Sequence, residues 1–183
     1  MYSLKDIYKL YKASIENFIE KDISVKVSPN EFEIIKKNLH KKIIKPVSKI
    51  SKCNNVKSGQ VYLFPEKYII FVILDVEEYP YMVAIASQFT EFETNNSVIL
   101  NGKDEQWLML SIVRYVSDRI VEKSTCIDEI SDSEMVKLYN LIFEDTKVYS
   151  ENVYPLPTEL HYEFEKNELE RTRWMMGSIF DDE

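Results

Sequence analysis

Between Lys36 and Lys57 the chain carries eight lysines and His40 without a single aspartate or glutamate. Lys36, Lys37, Lys41, Lys42, Lys45, Lys49 and Lys52 make up the dense part of this run. Ammonium groups at that density attract polyanions, and each phosphate they neutralise releases condensed counterions. The chemistry the stretch suits is therefore contact with RNA or another polyanion. It contains no arginine and no interleaved aromatic ring, so neither bidentate phosphate recognition nor base stacking is written into it. Lysines late in a helix also complement its dipole, and a solvated face or a match to acids elsewhere in the chain accounts for the same residues.

Other chemistries are excluded by counting. The three glycines, Gly59, Gly102 and Gly177, are too few and too scattered for a phosphate-cradling loop or a dinucleotide fingerprint. Cys53 and Cys126 cannot build a disulfide framework, and with two histidines there is no zinc-ligand set. No metal and no organic cofactor is expected. The net charge of −8 is unevenly divided: residues 1–57 hold 13 lysines and 6 acids, or +7, and the remainder 10 basic residues and 25 acids, or −15. Such a chain either meets an anionic partner on its basic side or matches its two halves internally.

The elements that would position these residues follow from periodicity. Ser3 and Asp6 resemble a capping box, and Leu4, Ile7, Tyr8, Tyr11, Ile15, Phe18 and Ile19 keep helical spacing, with the tyrosines read as core. A second helix is expected from Ser28-Pro29, with Phe32, Ile35, Leu39 and Ile43 buried, ending before Pro46. From Ser58 to Val116 runs a series of β-prone segments: Gln60–Phe64, Tyr68–Val76, Tyr81–Ala86, Ser97–Leu100 and Gln106–Val116, separated by turn-length breaks. Tyr68–Val76 is apolar at nearly every position and should be covered on both faces. The meander predicts a closed or half-closed barrel of about five short strands. Ser131 and Glu134 then read as another capping box, introducing a helix through Met135, Leu138, Tyr139 and Ile142 that must lie against the sheet.

The order SGQVYLF, short hairpin, YIIFVILDV, YMVAIAS, polar loop, SVIL, SIVRYV and a helix introduced by EISDSEM resembles the PemK/MazF family of toxin-type SH3-like barrels, over about Ser58 to Glu144. The resemblance implies an α+β fold: a small SH3-like antiparallel barrel flanked by N-terminal and C-terminal helices. It also implies metal-independent cleavage of single-stranded RNA by an arginine near the first hairpin loop and a Ser or Thr at a following strand end. Ser87 matches the second position, with Thr90 nearby. At the first, the loop is shortened to Pro65-Glu66-Lys67, leaving only Lys67, which lacks the guanidinium fork. Arg114, on the last strand, is a further candidate. The expectation is a nucleic-acid-binding barrel whose ribonuclease activity is degraded or absent.

After Pro155 and Pro157, Thr158 can cap a final helix in which Tyr162, Leu169 and Met176 recur every seven residues among acids. Trp174, Met175, Met176 and Phe180 are candidates for docking a protein partner or a second copy; packing on the chain's own barrel is the competing reading. The expected organisation is a basic helical extension over 1–57, the barrel with its closing helix over 58–147, and an acidic linker and helix over 148–183. The longest apolar run, Tyr68 to Leu74, is too short to span a bilayer, and the start MYSLKDIYKLYK has charges where a signal peptide is apolar. A cytoplasmic location is expected, with no membrane contact. The alternative to RNA binding is a non-catalytic interaction or assembly module, dimeric in one form, of a toxin–antitoxin-like or regulatory system.

Overall fold

The computed structural model describes residues 3–19, 55–144 and 157–176. The expected helix after Ser28-Pro29, the lysines from Lys36 to Lys52, and Phe180 lie outside these residues.

The described residues form an α+β fold around one antiparallel sheet. Its strands are β1 (Gln60–Phe64), β2 (Ile69–Asp75), β3 (Tyr81–Ser87), β4 (Ser97–Asn101), β5 (Gln106–Val116) and β6 (Thr125–Glu129). They lie side by side in the order β4-β5-β3-β2-β1-β6. Five of the six follow the expected segments closely. The sixth, β6, pairs antiparallel with β1 through a register shift between Val61 and Tyr62 and extends the sheet beyond the expected five strands. Gly102, just past β4, bridges to Ile130, just past β6, so the two edges approach at one end and the sheet curls into a half-barrel.

Alternation along the strands separates two cores. On one face Ile69, Phe71 and Ile73 join Tyr62, Phe64, Val83, Ile85, Leu108 and Leu110; on the other, Ile70, Val72 and Leu74 join Val61, Ala84, Ala86 and Met109. β2 is thus apolar throughout because both its faces are covered, as the unbroken run YIIFVILDV predicts. The first face is covered by α1 (Leu4–Ile19) and the last helix, which contribute Tyr11 and Phe164, and by α2 (Asp118–Glu122), which contributes Ile120 and Val121. The second face is covered by α3 (Asp132–Phe143) through Met135 and Leu138.

Helix starts follow the capping chemistry in part. At α1, Asp6 N–H donates to Ser3 Oγ (3.2 Å) while Ser3 N–H donates to the Asp6 carboxylate (3.2 Å), the reciprocal box the sequence predicts. At α3 the start is as expected, but the box is not formed. Ser131 Oγ instead meets Ser133 Oγ at 3.0 Å, and Glu134 accepts from the Asn101 backbone N–H (3.0 Å) and from Lys137 (2.5 Å). Glu134 therefore ties the helix to the end of β4. The last helix, α4 (Glu159–Arg171), starts at Thr158, whose backbone N–H donates to His161 Nδ1 at 3.1 Å, and continues through a 3₁₀ turn at Arg173–Met176.

Candidate functional site

The end of β3 opens onto a recess between α1, α4 and the β1–β2 turn, lined on its polar side by Tyr11, Ser14, Tyr68, Ser87, Gln88 and Arg171. Each element contributes for a local reason. Ser87 closes β3, and its Oγ accepts from the Phe89 N–H at 3.2 Å, turning the chain away from the sheet. Tyr68 ends the Pro65–Lys67 turn with φ +49°, a left-handed conformation unusual for a bulky residue. Its hydroxyl accepts from Gln88 Nε2 at 2.7 Å. Tyr11 arrives from α1 and Arg171 from the last turn of α4.

These groups belong to a buried network centred on Glu168, which has no exposed surface. Glu168 Oε1 accepts from Tyr11 Oη (2.7 Å) and Arg171 Nε (2.6 Å), and the other guanidinium nitrogens donate to the carbonyls of Lys67 and Tyr68, each at 3.1 Å. Burial opposes the charge of Arg171, but the neighbouring Glu168 more than offsets it and raises its pKa. Tyr11 is pushed well above the ordinary tyrosine range by burial and then by the Glu168 charge, and Tyr68 by burial. Neither phenol is poised to ionise near neutrality, so neither is a general base. Glu168 Oε2 and Trp174 Nε1 are buried without a hydrogen-bond partner among the described residues. The recess is open to solvent and has about 10 Å³ for a water-sized group, room for one water molecule.

Of the three candidates Ser87, Lys67 and Arg114, the last two do not line this recess. Ser87 lines the recess and is buried. The Lys67 ammonium lies 4.1 Å from the centre of the Trp174 ring, a cation–π contact. Arg114, also buried, donates from Nε to Thr172 O (3.3 Å), from Nη1 to Val113 O (2.9 Å) and from Nη2 to Leu169 O (3.1 Å). It caps the carbonyl end of α4, a favourable place for a cation, although burial and the nearby Arg173 charge lower its pKa. Thr90 begins a short 3₁₀ turn, Thr90–Phe92, beyond Ser87.

The C-terminal candidates divide. Met175 is fully buried in the first core, and Trp174 packs against Phe64 with ring centres 5.6 Å apart, whereas Met176 is exposed. Of the basic stretch only Lys57 is described; it is exposed, and its backbone N–H donates to Gln60 Oε1 at 2.8 Å. Among the described residues no cluster of three or more His, Cys, Asp or Glu is placed to hold a metal ion, and no helix is long and apolar enough to cross a membrane.

The PemK/MazF resemblance implies an arginine near the first hairpin loop, where the chain itself offers only Lys67. Arg171, absent from the expected candidates, reaches that loop from α4 and lines the same recess as Ser87. The available signal is the spacing of Phe164, Glu168 and Thr172 four residues apart, an inward stripe containing polar residues. Fold and site together define an α+β protein on a curled antiparallel half-barrel, with a buried Tyr–Glu–Arg clasp at one end. Comparison with protein-family models, with curated proteins and with solved structures gives no match.

Proposed function

We propose that this chain is a non-catalytic interaction or assembly module built on an SH3-like half-barrel. One observation carries the reading: Arg114 and Arg171, the two arginines drawn in beside the sheet, direct their donors to the protein's own carbonyls and to Glu168. An arginine that stabilises a phosphoryl transition state must present its fork to the reacting group. Here α4 covers the sheet face, and the recess beside Ser87 admits only a water-sized group. The resemblance to PemK/MazF barrels then describes a scaffold kept without its chemistry, of a toxin–antitoxin-like or regulatory kind. The test is incubation of the full chain with single-stranded RNA in the presence of a chelator. Intact RNA is the expected result; cleavage that disappears in Ser87→Ala overturns the reading.

A second reading, RNA binding without cleavage, is favoured by the acid-free lysines from Lys36 to Lys57. It predicts filter retention of single-stranded RNA that weakens steeply as salt is raised, because binding releases counterions. No retention at low salt rejects it.

A further inference from the structure

The heptad repeat that runs along α4 and into the 3₁₀ turn after it does not face the barrel. Tyr162, Leu169 and Met176 remain 58 %, 49 % and 47 % exposed, while Phe164, Glu168 and Met175 turn inward. Glu159, Glu163, Lys166, Glu170 and Arg173, all exposed, flank this apolar line. Their order along the helix is directional: acids lead, Lys166 and Glu170 straddle Leu169, and Arg173 follows.

A parallel copy of the helix would set Glu163 against Glu163 and Arg173 against Arg173. An antiparallel copy does the opposite. With a two-fold axis near Leu169, Leu169 packs on its counterpart, Tyr162 approaches Met176, Glu163 faces Arg173, and the Lys166–Glu170 pair within each helix (4.0 Å) meets the same pair running the other way. Glu163 and Arg173, which a parallel copy would set against their own kind, then meet their opposites, which is the self-complementarity an isologous interface requires.

Resting on the reading of the chain as an assembly module, we infer that its partner is a second copy of the same chain, held by antiparallel pairing of α4 about Leu169. Three half-exposed side chains offer a patch well below the roughly 800 Å² per partner of a standard interface. The pairing is therefore concentration-dependent.

Sedimentation equilibrium of the full chain over a wide concentration range tests it. A monomer–dimer equilibrium is expected, weakened at least tenfold by Leu169→Glu with no change in the melting curve, since that side chain lies outside the core. Glu163→Lys and Arg173→Glu should each weaken self-association, and an equimolar mixture of the two should restore it, because the mixed pair regains opposite charges at both contacts. A chain monomeric at every concentration overturns the pairing, as does a dimer indifferent to Leu169→Glu or a mixture that fails to recover. None of these outcomes touches the module reading itself, which falls only if RNA is cleaved in a Ser87-dependent way.

Discussion

Arg171 joins three parts of the chain that are far apart in sequence. It neutralises Glu168 on its own helix, reaches the carbonyls of Lys67 and Tyr68, and through Glu168 is linked to Tyr11 on α1. The side chains of Arg171 and Glu168 are 15 % and 1 % exposed, so the pair is well shielded. Removing one partner of a buried pair strands the other charge, at a cost of about 3–5 kcal/mol. Arg171→Ala should lower stability by that amount in urea unfolding. Arg171→Lys should recover less than half of it, since an ammonium cannot span Glu168 and two carbonyls together. The same shielding gives a pH dependence. The folded-state pKa of Tyr11 is raised, so its contribution is complete below the ordinary tyrosine value of about 10 and is lost as pH rises above it. The urea midpoint should fall more steeply above that pH in the wild-type chain than in Tyr11→Phe; equal slopes would reject the assignment.

At the scale of elements, the β4–β5 turn and β6 are held by one carboxylate. Asp128 Oδ1 accepts from the backbone N–H groups of Lys103 (3.0 Å), Asp104 (3.3 Å) and Glu129 (2.8 Å), and Oδ2 accepts from Glu105 N–H (3.2 Å) and Trp107 Nε1 (2.7 Å). The turn approaches so closely that a Cβ on Gly102 would sit 2.1 Å from Asp128 Oδ2. At the other end of the bridge a Cβ on Gly59, at φ +85°, would lie 2.5 Å from the Ile130 carbonyl oxygen. Asp128→Ala leaves the buried Trp107 Nε1 and four part-buried backbone N–H groups without this acceptor, and a loss of about 1–3 kcal/mol is expected. Gly102→Ala should also destabilise the fold, by about 1–3 kcal/mol, through overpacking. Chemical denaturation of both variants checks these values.

The same elements mark what can be read from residues alone. β2 declares itself because every position is apolar, and α1 because its apolar spacing and its capping pair agree. β6 does not, because TCIDE is short, half-buried and ends in two acids with no clean alternation. Asp128 looks like a surface charge until the turn that surrounds it is folded. The clasp is hidden for a related reason: Tyr11 and Glu168 are 157 residues apart, and no local pattern connects them. Glu168 reads as one acid among several on an acidic helix, although it is the one with no exposed surface. The heptad line on α4 is legible as a pattern, but only the packing reveals that it faces outward.

For the whole molecule, the two flanking helices are part of the fold and not appendages to it. Tyr11 and Phe164 meet with ring centres 4.7 Å apart, and Phe164 stacks on Phe92 at 4.5 Å. A chain ending at Pro157 loses Phe164 and Met175 from the first core and Glu168 and Arg171 from the clasp. Burying one such apolar side chain contributes about 1.5–3 kcal/mol, against a total stability of about 5–15 kcal/mol for a domain. The truncated chain should unfold without a cooperative transition and bind a hydrophobic dye; a sharp transition at the wild-type temperature would contradict this.

The clasp between α1 and α4 also sets an order of events during synthesis. The sheet is made of residues 60–129, but α4, which completes the cover that α1 and α2 begin on its first face, emerges only once residue 171 has left the ribosome. Until then the first core lacks Phe164 and Met175, because the contacts that close it join the two ends of the described chain. A nascent chain stalled before Thr158 should therefore remain sensitive to protease, and should gain protection in one step once Met175 can seat.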